Sequence, residues 1–176
     1  MTARVYKSTG SWYLVKADNG KFFQARIKGK FKIDDITSTN PIAVGDIVDI
    51  ETENELEDTV TITDIHDRKN YINRRSPANK GQHHIIASNI DQSLLVATLR
   101  EPRTSQGFID RFLVASESFH VPAIIVINKA DLFREKEKKQ FEAWKEMYED
   151  IGYKVLLTSM QSGESIETMR ALLKDK

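Results

Sequence analysis

A chain of 176 residues, 40% hydrophobic and 30% charged, is long enough for one good hydrophobic core or two small domains. Lys and Arg equal Asp and Glu at 26 each, so affinity for nucleic acid must come from local patches and not from net charge. The lack of cysteine excludes disulfides and thiolate metal sites in these residues, and with no signal-like or membrane-spanning apolar run a cytoplasmic protein is expected.

Residues 1–72 are predicted to form an all-β domain. Segments rich in aromatic and β-branched residues are candidate strands at 4–8, 11–17, 21–27, 42–50 and 59–65. Asp18-Asn19-Gly20, between the second and third segments, is a strong hairpin signal. Five short strands that close on themselves to hide their edges favour a small barrel of the OB-fold type, with an SH3-like barrel as the alternative.

One basic row stands out in this domain. Its members recur at every second position, so in an extended segment they share a face that could follow phosphates: Arg26, Lys28, Lys30 and Lys32. Aromatic residues close by could stack bases, as OB-folds do on single strands: Tyr13, Phe22, Phe23 and Phe31. The alternative is a solvated edge strand with the aromatic residues in the core, since an acidic run at 51–58 shows that charged rows of both signs occur here.

Residues 73–88 are predicted to be a basic linker with little periodicity. Such a connector could meet a phosphate backbone beside the barrel, so Arg74 and Arg75 join the candidate RNA-binding residues. His83 and His84 are adjacent, and adjacent histidines do not share a face on which they could bind one metal ion. No metal site is expected.

From residue 89 onward, apolar strands and amphipathic helices alternate. The strands are predicted at 93–99, 124–127 and 154–158. The helices that follow are marked by Phe108, Ile109, Phe112, Leu113 and Phe119, then by Phe141, Trp144, Tyr148 and Ile151, and then by Ile166, Met169, Leu172 and Leu173. This alternation predicts a parallel sheet covered by helices.

The second of these strands ends in Asn128-Lys129-Ala130-Asp131, at the sheet edge where ligands bind. An ionised Asp131 could accept two hydrogen bonds from the N1 and N2 donors of guanine, a contact that adenine cannot match. Asn128 could bond the other base edge or brace the loop, and Lys129 could lay its aliphatic stem across the base. The alternative is a helix start capped by Asn128 or Asp131.

The third strand ends in Ser159-Met160-Gln161-Ser162-Gly163, at the same edge of the predicted sheet. Ser159 could hold Asp131 or its loop in place, and the backbone N–H of Met160 could donate to the guanine O6. The alternative is a turn before a helix, capped by Ser162 or Gly163. Taken with Asp131 one αβ unit earlier, these residues favour a nucleotide site.

Several motifs, in their order along the chain, resemble those of the circularly permuted GTPases of the RsgA (YjeQ) type, which act in maturation of the small ribosomal subunit. They are Val44-Gly45-Asp46, residues 87–92, residues 109–115, residues 128–132 and Ser162-Gly163-Glu164. The resemblance implies that Asn128, Lys129 and Asp131 recognise guanine. It places Ser159, Met160 and Gln161 at the positions of a Ser-Ala-Lys-like loop, from which the Met and the Gln are departures.

The resemblance further implies a two-domain α+β protein. An OB-fold domain at 1–72 that contacts ribosomal RNA and a linker at 73–88 would precede, at 89–176, the first part of a P-loop-type GTPase domain with a parallel sheet. The full-length protein would bind GTP or GDP with Mg²⁺, carry zinc in a C-terminal module, be a monomer and act on the small ribosomal subunit and its rRNA.

The sequence contains no G-x-x-x-x-G-K-[ST] loop, no Asp-x-x-Gly element and no Cys/His zinc module. A site without the phosphate loop cannot position a γ-phosphate for attack. The chain is therefore expected to be an N-terminal fragment that contains no catalytic residue and does not hydrolyse GTP by itself. The alternatives are a non-catalytic OB-fold module that binds RNA or the ribosome, and a protein-interaction scaffold in which Asn-Lys-x-Asp is accidental.

Overall fold

The computed structural model describes residues 1–27, 41–52, 59–75 and 83–176, without the side chains of Arg74, Arg75 and His83. Part of the predicted basic row and its aromatic neighbour therefore lie outside the described residues: Lys28, Lys30, Lys32 and Phe31. The described chain divides into two compact units, Met1–Ile90 and Asp91–Lys176. Among the described residues, no helix is both long and apolar enough to span a bilayer.

The first unit contains a closed barrel of five strands. They are β1 (Thr2–Thr9), β2 (Trp12–Ala17), β3 (Phe22–Ile27), β4 (Ile47–Thr52) and β5 (Thr59–Ile65), hydrogen-bonded in the order β1-β2-β3-β5-β4. Strands β3 and β5 are parallel, and the other neighbours are antiparallel. The predicted OB-fold barrel is confirmed.

The side chains that point inward from alternate strand positions fill the interior of the barrel. Successive side chains of a strand point to opposite faces, and the inward set of β2 is Tyr13, Val15 and Ala17. Tyr13 and Phe23, which the sequence suggested as stacking surfaces, are 2% and 6% exposed and belong to this core. Burial raises the pKa of the Tyr13 phenol, because an apolar interior disfavours the phenolate. Tyr13 and Phe23 are therefore core residues and not stacking surfaces, as the alternative interpretation of the sequence predicted.

Tyr71–Arg75 (β6) and His83–Ser88 (β7) pair as a two-stranded antiparallel sheet. No sequence signal within the predicted linker at 73–88 indicated either strand. The physical reason is that Ser88 is the only fully buried side chain among those described in this hairpin, so no apolar alternation marks it. The hairpin belongs to the same compact unit as the barrel.

A buried carboxylate joins this hairpin to the barrel. Asp46, which is 0% exposed, accepts two bonds of 2.7 Å from the Nε and Nη2 atoms of Arg68. The same carboxylate accepts the Ala43 N–H at 2.8 Å and the Ser88 hydroxyl at 2.5 Å. Because the charge is paired and its lone pairs are occupied, burial is tolerated.

Gly45 allows the turn before β4 and the end of β7 to approach closely. Its φ is +93°, and a Cβ at this position would lie 2.0 Å from the carbonyl oxygen of Ser88. The Ser88 N–H donates to the Val44 carbonyl at 2.9 Å, and the Asn89 amide donates to the Gly45 carbonyl at 3.1 Å. Val44-Gly45-Asp46 and Ser88-Asn89, two of the motifs singled out in the sequence, thus form one structural joint.

The second unit is a parallel sheet with helices, as predicted. Its elements are β8 (Ser93–Thr98), α1 (Gln106–Ser118), β9 (Ala123–Asn128), a 3₁₀ turn (Ala130–Leu132), α2 (Glu135–Asp150), β10 (Lys154–Leu157) and α3 (Ile166–Leu173). The strand order is β10-β9-β8, and both pairs are parallel.

The helices bury a narrower stripe than the sequence predicted. Ile109 and Leu113 of α1 are in the core, whereas Phe108 is 49% exposed. Ile151, placed on the second helix face, follows α2 as its C-cap and is 65% exposed, and α3 buries none of its residues fully. Apolar residues at the edge of a helical stripe meet solvent when only part of the stripe contacts the sheet.

Tyr148 of α2 donates to Asp110 of α1 at 2.7 Å. Burial, followed by this bond and the charge of the Asp110 carboxylate, raises the pKa of Tyr148 well above its usual value. The pair links α1 to α2. It gives a structural role to Asp110 in the motif at 109–115.

We expect Asp46→Ala to lower the free energy of unfolding of the first unit by about 3–5 kcal/mol, because Arg68 would lose its buried counter-ion. Urea denaturation followed by far-ultraviolet circular dichroism measures this. Asp49→Ala is the matched control: Asp49 pairs with His66 at 3.0 Å, but the two side chains are 40% and 42% exposed, so a much smaller change is expected. Equal losses in the two variants would contradict a specific role for the buried pair.

Candidate functional site

The parallel pairing of β9 with β10 places two loops side by side. Ile127 is opposite Leu157 in the register, so the chain leaves both strands at the same height. The Thr158 N–H donates to the Ile127 carbonyl at 2.8 Å, and the Ala130 N–H donates to the Thr158 carbonyl at 3.1 Å. The Thr158 hydroxyl donates to Asn128 Oδ1 at 3.2 Å. In this structure Asn128 therefore braces the loop.

Asp131 and Ser159 meet at the centre of this arrangement. Ser159 is 0% exposed, and its hydroxyl donates to Asp131 Oδ1. The same Ser159 oxygen accepts the Ser162 N–H at 3.2 Å. Asp131 is exposed, so its carboxylate is anchored by a buried hydroxyl and remains accessible from solvent. The sequence predicted this pairing as one of two roles for Ser159.

Lys129 connects its loop to the segment that follows β8, the other strand that neighbours β9. Its φ is +65°, a left-handed conformation that costs a non-glycine residue about 1–3 kcal/mol and concentrates at functional sites. Its Nζ atom donates to the carbonyl of Glu101, and Arg100 Nη1 lies 3.5 Å from the carbonyl of Leu132.

Arg100 and Glu101, which follow β8, were not among the site residues predicted from the sequence. The signal that could have found them is the rule that the carboxyl ends of neighbouring parallel strands meet at one edge of a sheet. Three strand ends therefore contribute to this site, where the sequence analysis counted two.

The capping alternatives do not describe these loops. Lys129 precedes the 3₁₀ turn and Arg134 precedes α2, so neither Asn128 nor Asp131 is a helix N-cap. Ser165, and not Ser162 or Gly163, precedes α3. None of these polar side chains is therefore committed to a helix end.

The loop after β10 is compact. The Gly163 N–H donates to the Ser159 carbonyl at 3.0 Å, and Gly163 has a φ of +77°, which a glycine adopts without strain. The Met160 side chain is 75% exposed, and Gln161 is also exposed. The hydrogen bonds of this turn join Ser159 to Ser162 and Gly163 and do not use the Met160 side chain, so the backbone conformation does not depend on which side chain occupies position 160.

Of the candidate RNA-binding residues, Arg26 has a described side chain. It is exposed on β3, with its Cζ atom 3.7 Å from the ring centroid of Trp12. Arg74 and Arg75 contribute their backbones to β6. Across the part of the chain that the structure describes, no group of three His, Asp or Glu residues is placed to hold a metal ion.

The geometry of this site suits hydrogen bonding to a planar ligand. An exposed carboxylate with one oxygen held by a buried hydroxyl can accept hydrogen bonds from a pair of N–H donors on a planar base. The Asn128 amide and the Lys129 stem lie in the same loop, and both are partly buried. These residues suit recognition of a base.

Two family models match the chain. That of the RsgA N-terminal domain matches residues 2–60, and that of the RsgA GTPase matches residues 65–176. Among curated relatives, the small ribosomal subunit biogenesis GTPase RsgA of Cytophaga hutchinsonii is 47% identical over 176 residues, and that of Flavobacterium psychrophilum is 49% identical over 177. Each match covers 100% of this chain but 57% and 54% of the relative, so the chain spans about half the length of these relatives.

Two solved structures are similar over 99% of the chain. YjeQ from Thermotoga maritima aligns with a TM-score of 0.80 at 28% identity, over 57% of its own length. YloQ, described as a circularly permuted GTPase, aligns with a TM-score of 0.74 at 30% identity, also over 57% of its length.

We expect Ser159→Ala to lower the free energy of unfolding of the second unit by about 1–2 kcal/mol, since the Ser162 N–H would lose its buried acceptor. In a Trp12→Phe background, Trp144, which packs against the second core, reports this unfolding by its fluorescence in urea. Ser162→Ala is the control, because Ser162 is exposed and contributes its backbone N–H, which the substitution keeps. A Ser162→Ala variant as unstable as Ser159→Ala would argue against the hydroxyl network.

Proposed function

Because the chain belongs to the RsgA family of GTPases, we propose that it contributes the guanine-recognition half of a GTPase that assists late maturation of the small ribosomal subunit. The observation that supports this most directly is the contact of the buried Ser159 hydroxyl with the exposed Asp131 carboxylate. The whole protein would convert GTP to GDP and phosphate.

Each loop residue has a role in this proposal. Asp131 accepts the N1 and N2 hydrogens of guanine, and Ser159 fixes the carboxylate for that contact. The Met160 N–H donates to the O6 atom, which explains why a methionine is tolerated where the family pattern has alanine. Asn128 and Lys129 hold the loop through Thr158 and Glu101, and the Lys129 stem covers the base.

Hydrolysis requires groups that residues 1–176 do not contain. The sequence has no Gly-rich phosphate loop, whose N–H groups, lysine and hydroxyl would hold the phosphates and Mg²⁺. Phosphate contacts supply much of the affinity of such sites. We therefore propose that residues 1–176 alone bind guanine nucleotides weakly and do not hydrolyse GTP. Mg²⁺ and a C-terminal zinc module belong to the proposal for the whole protein.

The barrel and the hairpin are proposed to contact small-subunit rRNA. The proposed residues are Arg26, Lys28, Lys30, Lys32, Arg74 and Arg75, all cations that can neutralise phosphates. Arg26 supports this choice because it is exposed on the barrel. An RNA-binding domain at 1–72, a GTPase domain that starts at 89, the monomeric state and the cytoplasmic location are parts of the same proposal, with the hairpin in place of the predicted linker.

The guanine contact is tested by Asp131→Asn in the whole protein. An asparagine amide presents N–H groups toward the N1 and N2 hydrogens, so we expect the affinity for GDP to fall by ~10⁴, which is the loss when a buried polar match is removed. Xanthosine diphosphate has a carbonyl oxygen in place of the N2 amine, and its affinity should rise. Competition of both nucleotides against a fluorescent guanine nucleotide measures the two affinities.

Asp150→Asn, at the exposed end of α2, is the control and should leave both affinities unchanged. GDP affinity that survives Asp131→Asn would overturn the guanine assignment and favour an accidental Asn-Lys-x-Asp. A tight, guanine-selective dissociation constant for residues 1–176 would overturn the proposed division between base recognition and phosphate binding.

The rRNA contact is tested by the salt dependence of RNA binding. We expect affinity to fall steeply between low and moderate salt, and Lys28→Glu or Arg74→Glu to weaken binding and reduce the slope, because each removes a phosphate contact. Electrophoretic mobility shifts with a small-subunit rRNA fragment measure this. Lys136→Glu makes the same charge change on the exposed surface of α2 and should have no effect. Absent or salt-insensitive binding would count against this surface.

A further inference from the structure

One outer face of the barrel exposes aromatic side chains. On β1, β2 and β3 the outward residues Tyr6, Trp12 and Phe22 are 49%, 37% and 45% exposed. Large aromatic side chains usually bury most of their surface, so three on one sheet face indicate a site of contact.

The register explains how these residues come together. Lys16 is opposite Phe22 across β2 and β3. Tyr13 is opposite Ala25, so Trp12, one position earlier on β2, lies alongside Arg26, one position later on β3. On β1 the pairing shifts between Val5 and Lys7, at Tyr6. The Tyr6 and Phe22 rings then meet edge to face, with centroids 5.4 Å apart and planes at 79°.

Cations lie over the same rings. Lys16 Nζ is 5.4 Å from the Phe22 centroid and 5.9 Å from that of Tyr6. Arg26 Cζ is 3.7 Å from the Trp12 centroid, so the guanidinium covers the indole while more than a third of Trp12 stays exposed. Such cation–π contacts hold the rings in fixed positions on the surface.

Charge separates this face from the rest of the barrel. Strands β1, β2 and β3 contain no acidic residue; Arg4 is opposite Lys16 across β1 and β2, and Arg26 lies on β3 over Trp12. The acidic residues of the barrel strands are on β4 and β5, namely Asp49, Glu51 and Asp64. A polyanion is therefore attracted to the aromatic side of the barrel and repelled from the opposite side.

We infer that this face, formed by Tyr6, Trp12, Lys16, Phe22 and Arg26 and here named the aromatic face, stacks unpaired bases of RNA. The inference rests on the proposed rRNA contact and deepens it. Exposed rings can stack on any base, and the adjacent cations neutralise the phosphates that follow. Paired bases inside a duplex are already stacked and offer no face to these rings, so the partner is single-stranded RNA.

Fluorescence of Trp12 tests the inference directly. The chain has two tryptophans, and in a Trp144→Phe background Trp12 is the sole indole. Titration with a short single-stranded oligoadenylate should quench Trp12, because a base would stack on the indole. The same strand annealed to oligouridylate should bind at least about tenfold more weakly and leave the fluorescence unchanged.

Variants separate stacking from general charge. Trp12→Ala and Phe22→Ala should each weaken single-strand binding by about 5- to 150-fold, the range for loss of one base–aromatic stack. Trp12→Phe keeps a ring and should restore most of the affinity. Phe108→Ala removes an aromatic side chain of similar exposure, 49%, from α1 and should change nothing. Circular dichroism melting checks that each variant is folded.

The outcomes distinguish the inference from its premise. If the chain binds neither oligonucleotide nor the small-subunit rRNA fragment, the proposed rRNA contact fails and the stacking inference fails with it. If it binds the rRNA fragment but neither oligonucleotide, only the stacking inference fails. If it binds duplex and single strand equally, or if Trp12→Ala binds as tightly as the parent chain, the rRNA contact survives and stacking on the aromatic face is wrong.

Discussion

The second unit depends on one strand, β9, that has no solvent-exposed face. Ala123–Asn128 is hydrogen-bonded on both sides, and residues 123–127 are all buried. Such a strand is stable only between two other strands and beneath covering side chains, which makes β9 the centre of the sheet. Polar residues are then forced to its carboxyl end, where the ends of β8 and β10 also arrive. The position of the candidate site follows from this burial.

A second constraint shapes the barrel and its hairpin. Removing the Asp46 carboxylate from water is tolerated only because Arg68, Ser88 and a backbone N–H bind it. Gly45 permits this joint by leaving room for the Ser88 carbonyl. Likewise, Asp110 belongs to a family motif but bonds Tyr148 of a neighbouring helix. Asp46 and Asp110, which belong to motifs that resemble those of the RsgA family, therefore stabilise the fold in this structure.

The candidate site and the aromatic face use different physics. At the site, a buried hydroxyl orients one carboxylate, and the strained Lys129 residue contacts the Glu101 carbonyl through its side chain. Such fixed geometry suits discrimination between bases. On the aromatic face, rings and cations offer contact without directional hydrogen bonds, which suits binding that tolerates many sequences. The two proposals thus assign a selective surface to one unit and a permissive surface to the other.

The sequence by itself determined the barrel, the alternation of strands and helices, and the two loops of the candidate site. Those features depend on local periodicity and on strand ends, which are visible along a single chain. Only the tertiary structure decided that Phe23 is buried while its neighbour Phe22 is exposed, and that Tyr6 and Trp12 join it on the surface. The sequence could not decide this because the face on which a side chain lies depends on strand register, and a shift of one residue reverses it.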